Sequence, residues 1–194
     1  MSRKLLWLAP LAIGALWTAQ AVQKSLNNHC RGAVYPDPDT SPYVLPFRVG
    51  TTSDLSQAPC DGFHNELDWF GFDFDMPIGT PFQAARAGVV TGLVDRFEDG
   101  NHDIRQTNWL QITHADGTFA EYLHLTRRGG RVEFGHSVEQ GQVIGISGFT
   151  GLTGPREHLH FIVFLEITDT SRISLPVTSR NVAAPQPLEA GYTY

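Results

Sequence analysis

Two histidines one residue apart, His158 and His160, open the apolar run Phe161-Ile162-Val163-Phe164. Such a run reads as a β-strand. Side chains on a strand alternate faces, so both imidazoles point the same way, about 7 Å apart. Neighbouring imidazoles taken out of water are costly unless they bind something, and a metal ion is the commonest remedy; the alternative is a pair of exposed strand histidines. Asp73 poses the same question with the opposite sign. Within Phe72-Asp73-Phe74 a carboxylate between aromatics needs a cation or several donors. Asp75 shares the parity of Asp73 and competes for that role, and an edge strand with its acidic face in water would account for both. His124, on another strand, adds a third imidazole. It follows Tyr122 by two residues, so the two are expected on one face.

The elements that must position these groups are strands. The chain has 19 Gly and 12 Pro, and no helical periodicity persists after the first twenty-five or so residues. Gly88 to Val94 alternates as a strand should. Trp109 to Thr113 and Phe119 to Leu123 flank Ala115-Asp116-Gly117 and read as a hairpin. Val143 to Ser147 is a further strand, followed by a glycine-rich loop from Gly148 to Gly154, and His158 to Ile167 is the longest apolar strand. This loop and the segment Phe97 to Arg105 are expected to wall a groove, along which an extended peptide could lie as an added strand. Residues 22–42 look like an extended arm without a core of its own. The tail 169–194 is polar and Pro-containing, with an edge strand expected at Ser174-Leu175-Pro176-Val177.

Four blocks then appear in order: Phe72-Asp73-Phe74-Asp75-Met76-Pro77-Ile78-Gly79-Thr80-Pro81 running on to Val90; His114-Ala115-Asp116-Gly117-Thr118; Tyr122-Leu123-His124-Leu125; and Gly148-Phe149-Thr150-Gly151 leading to His158-Leu159-His160-Phe161. Each alone is a weak signal; together, over roughly residues 43–167, the chain resembles the M23 family of zinc metallopeptidases, the lysostaphin or LytM type. The resemblance implies that His160 and Asp73 ligate zinc and that His124 and His158 form the catalytic pair. One block departs from the family pattern. The usual H-x-x-x-D spacing would place a ligand at residue 69, which is Trp69. The nearest upstream histidine is His64, and a subgroup with an aromatic-rich insert before the aspartate resembles Trp69-Phe70-Gly71-Phe72, so His64 is assigned with Asp73. Asp68 is the rival, since His64 and Asp68 satisfy H-x-x-x-D literally.

With His64, Asp73 and His160 as ligands, one zinc ion per chain would keep an open position, the pattern of a catalytic site. The fold implied is all-β: an antiparallel, sandwich-like single domain at residues 43–168, of the duplicated-hybrid-motif type, with a central zinc groove. The implied activity is metalloendopeptidase cleavage of peptidoglycan cross-bridges or stem peptides. A non-catalytic relative that binds the wall or a partner is the rival class, but such relatives usually lose ligand or catalytic histidines. A serine hydrolase is disfavoured, because Gly145-Ile146-Ser147-Gly148-Phe149 does not complete a G-x-S-x-G elbow.

Location is read from the start of the chain. Arg3 and Lys4 precede a short apolar run broken by Pro10, and Thr18-Ala19-Gln20-Ala21 offers small residues around a cut. Residues 1–21 therefore read as a signal peptide, or otherwise as an N-terminal anchor. The sequence predicts export to the periplasm or the extracellular side of a bacterial envelope, a monomer, and no stable membrane insertion after cleavage. A third reading, a sugar phosphotransfer carrier of similar fold, conflicts with export. The chain carries 14 basic and 20 acidic residues, a balance without the basic footprint that nucleic-acid binding requires. Cys30 and Cys60 are its two cysteines, and in an oxidising compartment they are expected to form one disulfide.

Overall fold

The structure, a computed structural model, describes residues 30, 32–61, 64, 68–168, 171–183 and 186–194. The expected signal segment, residues 1–21, lies outside them. Eleven strands are described: β1 (Leu55–Gln57), β2 (Phe72–Asp75), β3 (Pro81–Gln83), β4 (Gly88–Val94), β5 (Trp109–Thr113), β6 (Thr118–Leu123), β7 (Leu125–Gly130), β8 (Ser137–Val138), β9 (Val143–Ser147), β10 (His158–Thr168) and β11 (Ser171–Ser174). The larger sheet runs β1-β2-β10-β6-β5-β4-β8, with β11 continuing the β2 edge of β10, and the smaller runs β3-β9-β7. All their pairings are antiparallel. The fold class is therefore the all-β, antiparallel one that the short, turn-punctuated segments predict.

Register decides where the chemistry goes. Phe161 of β10 lies opposite Phe72 of β2 and Tyr122 of β6, and one residue earlier His160 lies opposite Asp73 and Leu123. Adjacent residues face opposite sides. One side thus carries an unbroken row of rings: Phe82 on Tyr122 (centroids 5.6 Å apart), Tyr122 on Phe161 (5.3 Å), Phe161 on Phe72 (6.3 Å), Phe72 on Phe74 (6.1 Å) and Phe74 on Phe47 (5.3 Å). Phe82 and Ile144 come from the smaller sheet and are fully buried, so this row is the core between the layers. The other side carries Asp73 and His160. A one-residue slip of β10 would exchange the rows, and burying this much aromatic surface, about 1.5–3 kcal/mol for a single Phe, fixes the register against it. Tyr122 satisfies its hydroxyl inside the core by accepting the Ala85 amide at 2.8 Å.

Three expectations change. The last edge strand is β11 at Ser171–Ser174, ahead of the expected Ser174 to Val177; Pro176 has no amide hydrogen to continue a ladder. The tail is more than polar: Leu175, Val177 and Leu188 are buried in the main core, and the backbone amides of Ser53 and Leu55 donate to the carbonyls of Tyr194 and Tyr192 at 2.9 Å each. The arm is tied to that tail, for Ser41 donates its hydroxyl to the Thr178 carbonyl at 2.5 Å and Tyr35 packs edge-on against buried Phe70. The disulfide Cys30–Cys60 joins the arm to the loop between β1 and β2.

His114, at the end of β5, is buried against Tyr43 and donates Nδ1–H to the Ala87 carbonyl at 2.9 Å, while its Nε2 has no hydrogen-bond partner. Burial pushes its pKa down to about 4. Between about 4 and the ordinary 6.5 the unfolded chain binds the proton that the folded chain excludes, so folding stability falls as pH drops through that window. We expect His114 alone to remove about 2–3 kcal/mol between pH 7 and 4.5, since a tenfold difference in proton affinity between the two states is worth roughly 1.4 kcal/mol. A His114→Gln variant melted at both pH values should show a correspondingly smaller difference than the native chain; an unchanged difference refutes it.

Candidate metal centre

The row on the side of Asp73 crosses four strands and is polar on three of them. Gln57 lies opposite Asp73, Asp73 opposite His160 and His160 opposite Leu123. His160 Nδ1 sits 2.7 Å from Asp73 Oδ1. His64 arrives from the β1–β2 loop with Nε2 3.3 Å from the same oxygen. The three residues offer donor atoms that all lie within 4.8 Å of one another, and all three are buried. The chain thus converges on the three residues assigned as ligands.

The loop holds His64 by its other nitrogen. His64 Nδ1 donates to the Ala58 carbonyl at 2.9 Å and its amide donates to Asp61 O at 3.0 Å. A carbonyl can only accept, so Nδ1 carries the hydrogen and Nε2 is left as the lone-pair atom. That Nε2 is buried and finds no aligned hydrogen bond. Cys60, in the left-handed region at φ 66°, donates its amide to Trp69 O at 2.7 Å, closing the loop's base. Gly71 lines the cradle: a Cβ there would come within 2.7 Å of His160 Cε1 and 3.2 Å of His64 Nε2. Asp68 borders the same cavity but is exposed and stands outside the donor group. Asp75 turns to Arg156, whose Nη1 donates to it at 2.7 Å.

The electrostatics suit a cation. Burial pushes the Asp73 carboxyl up, yet the His160 and His64 imidazoles set against it hold it below the usual carboxylate range. Burial likewise pushes His64 down, and the adjacent Asp73 more than reverses this. Two imidazole nitrogens, one of them the buried His64 Nε2 without an aligned partner, and one carboxylate oxygen form a donor set, with room kept by Gly71, that fits zinc with a position left open.

His124 and His158 stand beside this group with ring centroids 4.7 Å apart. His158 Nδ1 donates to Arg156 O at 3.0 Å and His124 Nδ1 to Thr150 O at 2.7 Å. Each therefore presents Nε2 to the cavity, and that of His158 lies 3.7 Å from Asp73 Oδ1. Burial pushes His124 down to about 3, with repulsion from His158 and His160 adding to it. The parity expected for His124 needs correction. Tyr122 points into the core, and His124 reaches the opposite side because β6 ends at Leu123 and His124 takes a left-handed φ of 69°. Asn108 holds this kink by accepting the His124 amide at 2.9 Å, while the Thr150 hydroxyl accepts the Asn108 amide at 3.0 Å. Asn108, Thr150 and Gly71 escape sequence reasoning because the first two act by holding the backbone and ring of His124 and the third by lacking a side chain.

The cavity above these groups has a volume of about 650 Å³. Ser56, Gln57 and Asp68 border it toward β1, and Leu123, Thr107 and Ile104 toward β5. The glycine-rich loop supplies Leu152, Thr153 and Gly154 as expected, whereas of the segment Phe97 to Arg105 only Ile104 reaches the cavity among the described residues.

The family model described as peptidase family M23 matches residues 68–171. Two curated relatives from Vibrio cholerae, the peptidoglycan DD-endopeptidases ShyC and ShyA, are 40% identical over 94 residues and 36% identical over 110. These alignments cover 48% and 56% of this chain but only 20% and 24% of the relatives. Among solved structures, the catalytic domain of lysostaphin from Staphylococcus simulans is 27% identical with a TM-score of 0.46, covering 64% of this chain and 87% of that domain.

Proposed function

The chain belongs to peptidase family M23, and on that premise we propose that it is an exported zinc metalloendopeptidase cleaving peptidoglycan cross-bridges or stem peptides. The carrying observation is the convergence of His64, Asp73 and His160 at the floor of a groove flanked by two imidazoles that both present Nε2. The names of the curated relatives support peptidoglycan as substrate. The amino-terminal segment supports export to the periplasm or beyond, and the disulfide is compatible with an oxidising compartment.

In this reading His64 Nε2, Asp73 Oδ1 and His160 Nδ1 hold one zinc ion. When bound, zinc polarises the substrate carbonyl and brings the pKa of water to about 7. The residues around it do the rest. His158 and His124 share two tasks, one neutral Nε2 taking the proton of the attacking water and the other imidazole, when protonated, donating Nε2–H to the developing oxyanion and to the leaving amine. The carbonyls of Arg156 and Thr150 fix the tautomers, so neither ring must turn before it acts. Asp73, held ionised, offsets the positive charge that accumulates.

Purified protein should contain about one zinc per chain, lose it and all cleavage of isolated peptidoglycan to a strong chelator, and regain both on zinc addition. Full zinc occupancy with no cleavage of any wall preparation would instead establish a wall- or partner-binding module.

A further inference from the structure

The cavity is chemically lopsided across the strand order, and this bears on which peptides fit it. Toward β1 it is bordered by Ser56, Gln57 and Asp68; toward β5 it is bordered by Leu123, Ile104 and Thr107, with Leu152 from the glycine-rich loop. Ile104 and Leu152 are 69% and 63% exposed, although both sit on loops that are firmly joined. Gly100 donates its amide to Phe149 O at 2.7 Å, Phe149 donates to Asp99 Oδ1 at 2.6 Å, and Gly151 donates to Asn101 Oδ1 at 3.1 Å. Gly151, at φ 80°, approaches Thr107 so closely that a Cβ would lie 2.0 Å from its Oγ1, and the Thr107 hydroxyl in turn donates to Ile104 O at 2.9 Å. The two aliphatic side chains thus stand in water on a stapled rim. Apolar groups pre-arranged around a cavity reward a ligand that covers them without further ordering.

Leu123 continues this surface inward, since it lies directly opposite His160 on β6. A peptide crossing the strands with its scissile carbonyl over Asp73 and His160 therefore meets a polar flank on one side and an aliphatic one on the other. Resting on the peptidase reading above, we propose that Ile104, Leu123 and Leu152 form a subsite for an aliphatic side chain on one side of the scissile bond, and that the chain selects such peptides over all-glycine ones. Glycine leaves the rim wet. A side chain of one to four carbons covers part of it, and one methylene in an apolar pocket is worth roughly tenfold or more in discrimination.

The test uses matched peptides with Gly, Ala or Leu at each position flanking the cleaved bond, and uncleavable isosteres of the same peptides for binding. The native protein should favour an aliphatic residue on one side by about tenfold in kcat/KM and in Kd. The Ile104→Ser/Leu152→Ser double variant should bring that ratio to within about twofold. Its zinc content and its melting temperature should stay unchanged, because both side chains are exposed and neither belongs to the donor group. Equal handling of glycine and aliphatic peptides by the native protein, or a preference that survives in the double variant, overturns the subsite. Failure to cleave any peptide would count against the peptidase reading; the Kd ratio then decides the subsite by itself.

Discussion

Asp73→Ala should empty the proposed metal site and abolish hydrolysis, whereas Asp68→Ala should leave zinc content and rate within about twofold of the native protein. The contrast follows from burial and reach. Asp73 is buried with Oδ1 at 2.7 Å from His160 Nδ1 and 3.3 Å from His64 Nε2, so its removal leaves two imidazoles without the anion that draws a dication to them. Changing groups that merely orient a ligand typically lowers metal affinity 10–100-fold, and loss of the ligand itself should exceed that. Asp68 is exposed to water and stands outside the donor group, so it adds only its charge at His64 and no ligand atom. Asp73→Asn separates charge from shape, since it keeps the size and one acceptor oxygen. It should also release zinc, though less completely. Metal analysis after gel filtration in dilute chelator reads the result, and circular dichroism of the metal-free proteins checks that the sheets persist. Zinc lost from Asp68→Ala and kept by Asp73→Ala would hand the ligand role to Asp68 and return the literal H-x-x-x-D spacing.

Why the sequence reveals Asp73 more clearly than His64 has a physical basis. Phe72-Asp73-Phe74 and His158-Leu159-His160-Phe161 alternate strictly, and alternation is a local property that fixes which side chains share a face. From it alone the aromatic row and the polar row can be anticipated, strand by strand. What local pattern cannot supply is the pairing of β10 with β2, whose partners are 87 residues apart at His160 and Asp73. His64 is harder still, for it lies on no strand, and its position depends on a loop closed by Cys60, Trp69 and Ala58. Parity with Tyr122 points to His124 for a reason that does not hold: it would send the imidazole into the core, and only the left-handed backbone at residue 124 turns it outward. In the tail, Leu175 and Val177 sit either side of a proline, a pattern with no regular period, and their burial against the main core comes from tertiary packing.

Replacing either flanking imidazole should separate catalysis from metal binding. In His158→Ala and in His124→Ala the three donors at 64, 73 and 160 remain, so zinc content should stay near one per chain while kcat falls by about 10²–10⁴, the usual yield of a positioned acid or base. His158 is the more delicate case, since its Nε2 lies only 3.7 Å from Asp73 Oδ1; a modest weakening of zinc binding is compatible with its role, but loss of the metal is not. The double variant should be little worse than the poorer single one, because two groups whose tasks belong to the same hydrolytic step act as a unit and their effects do not add. Gln at either position is an instructive control. It cannot accept and return a proton as imidazole does, although it retains hydrogen-bonding reach, so a Gln variant as slow as the Ala variant points to proton transfer and a Gln variant near native rate points to orientation alone. If His124→Ala and His158→Ala both hydrolyse peptidoglycan at native rates with zinc in place, the two imidazoles serve the groove's shape and the proton must leave by another path.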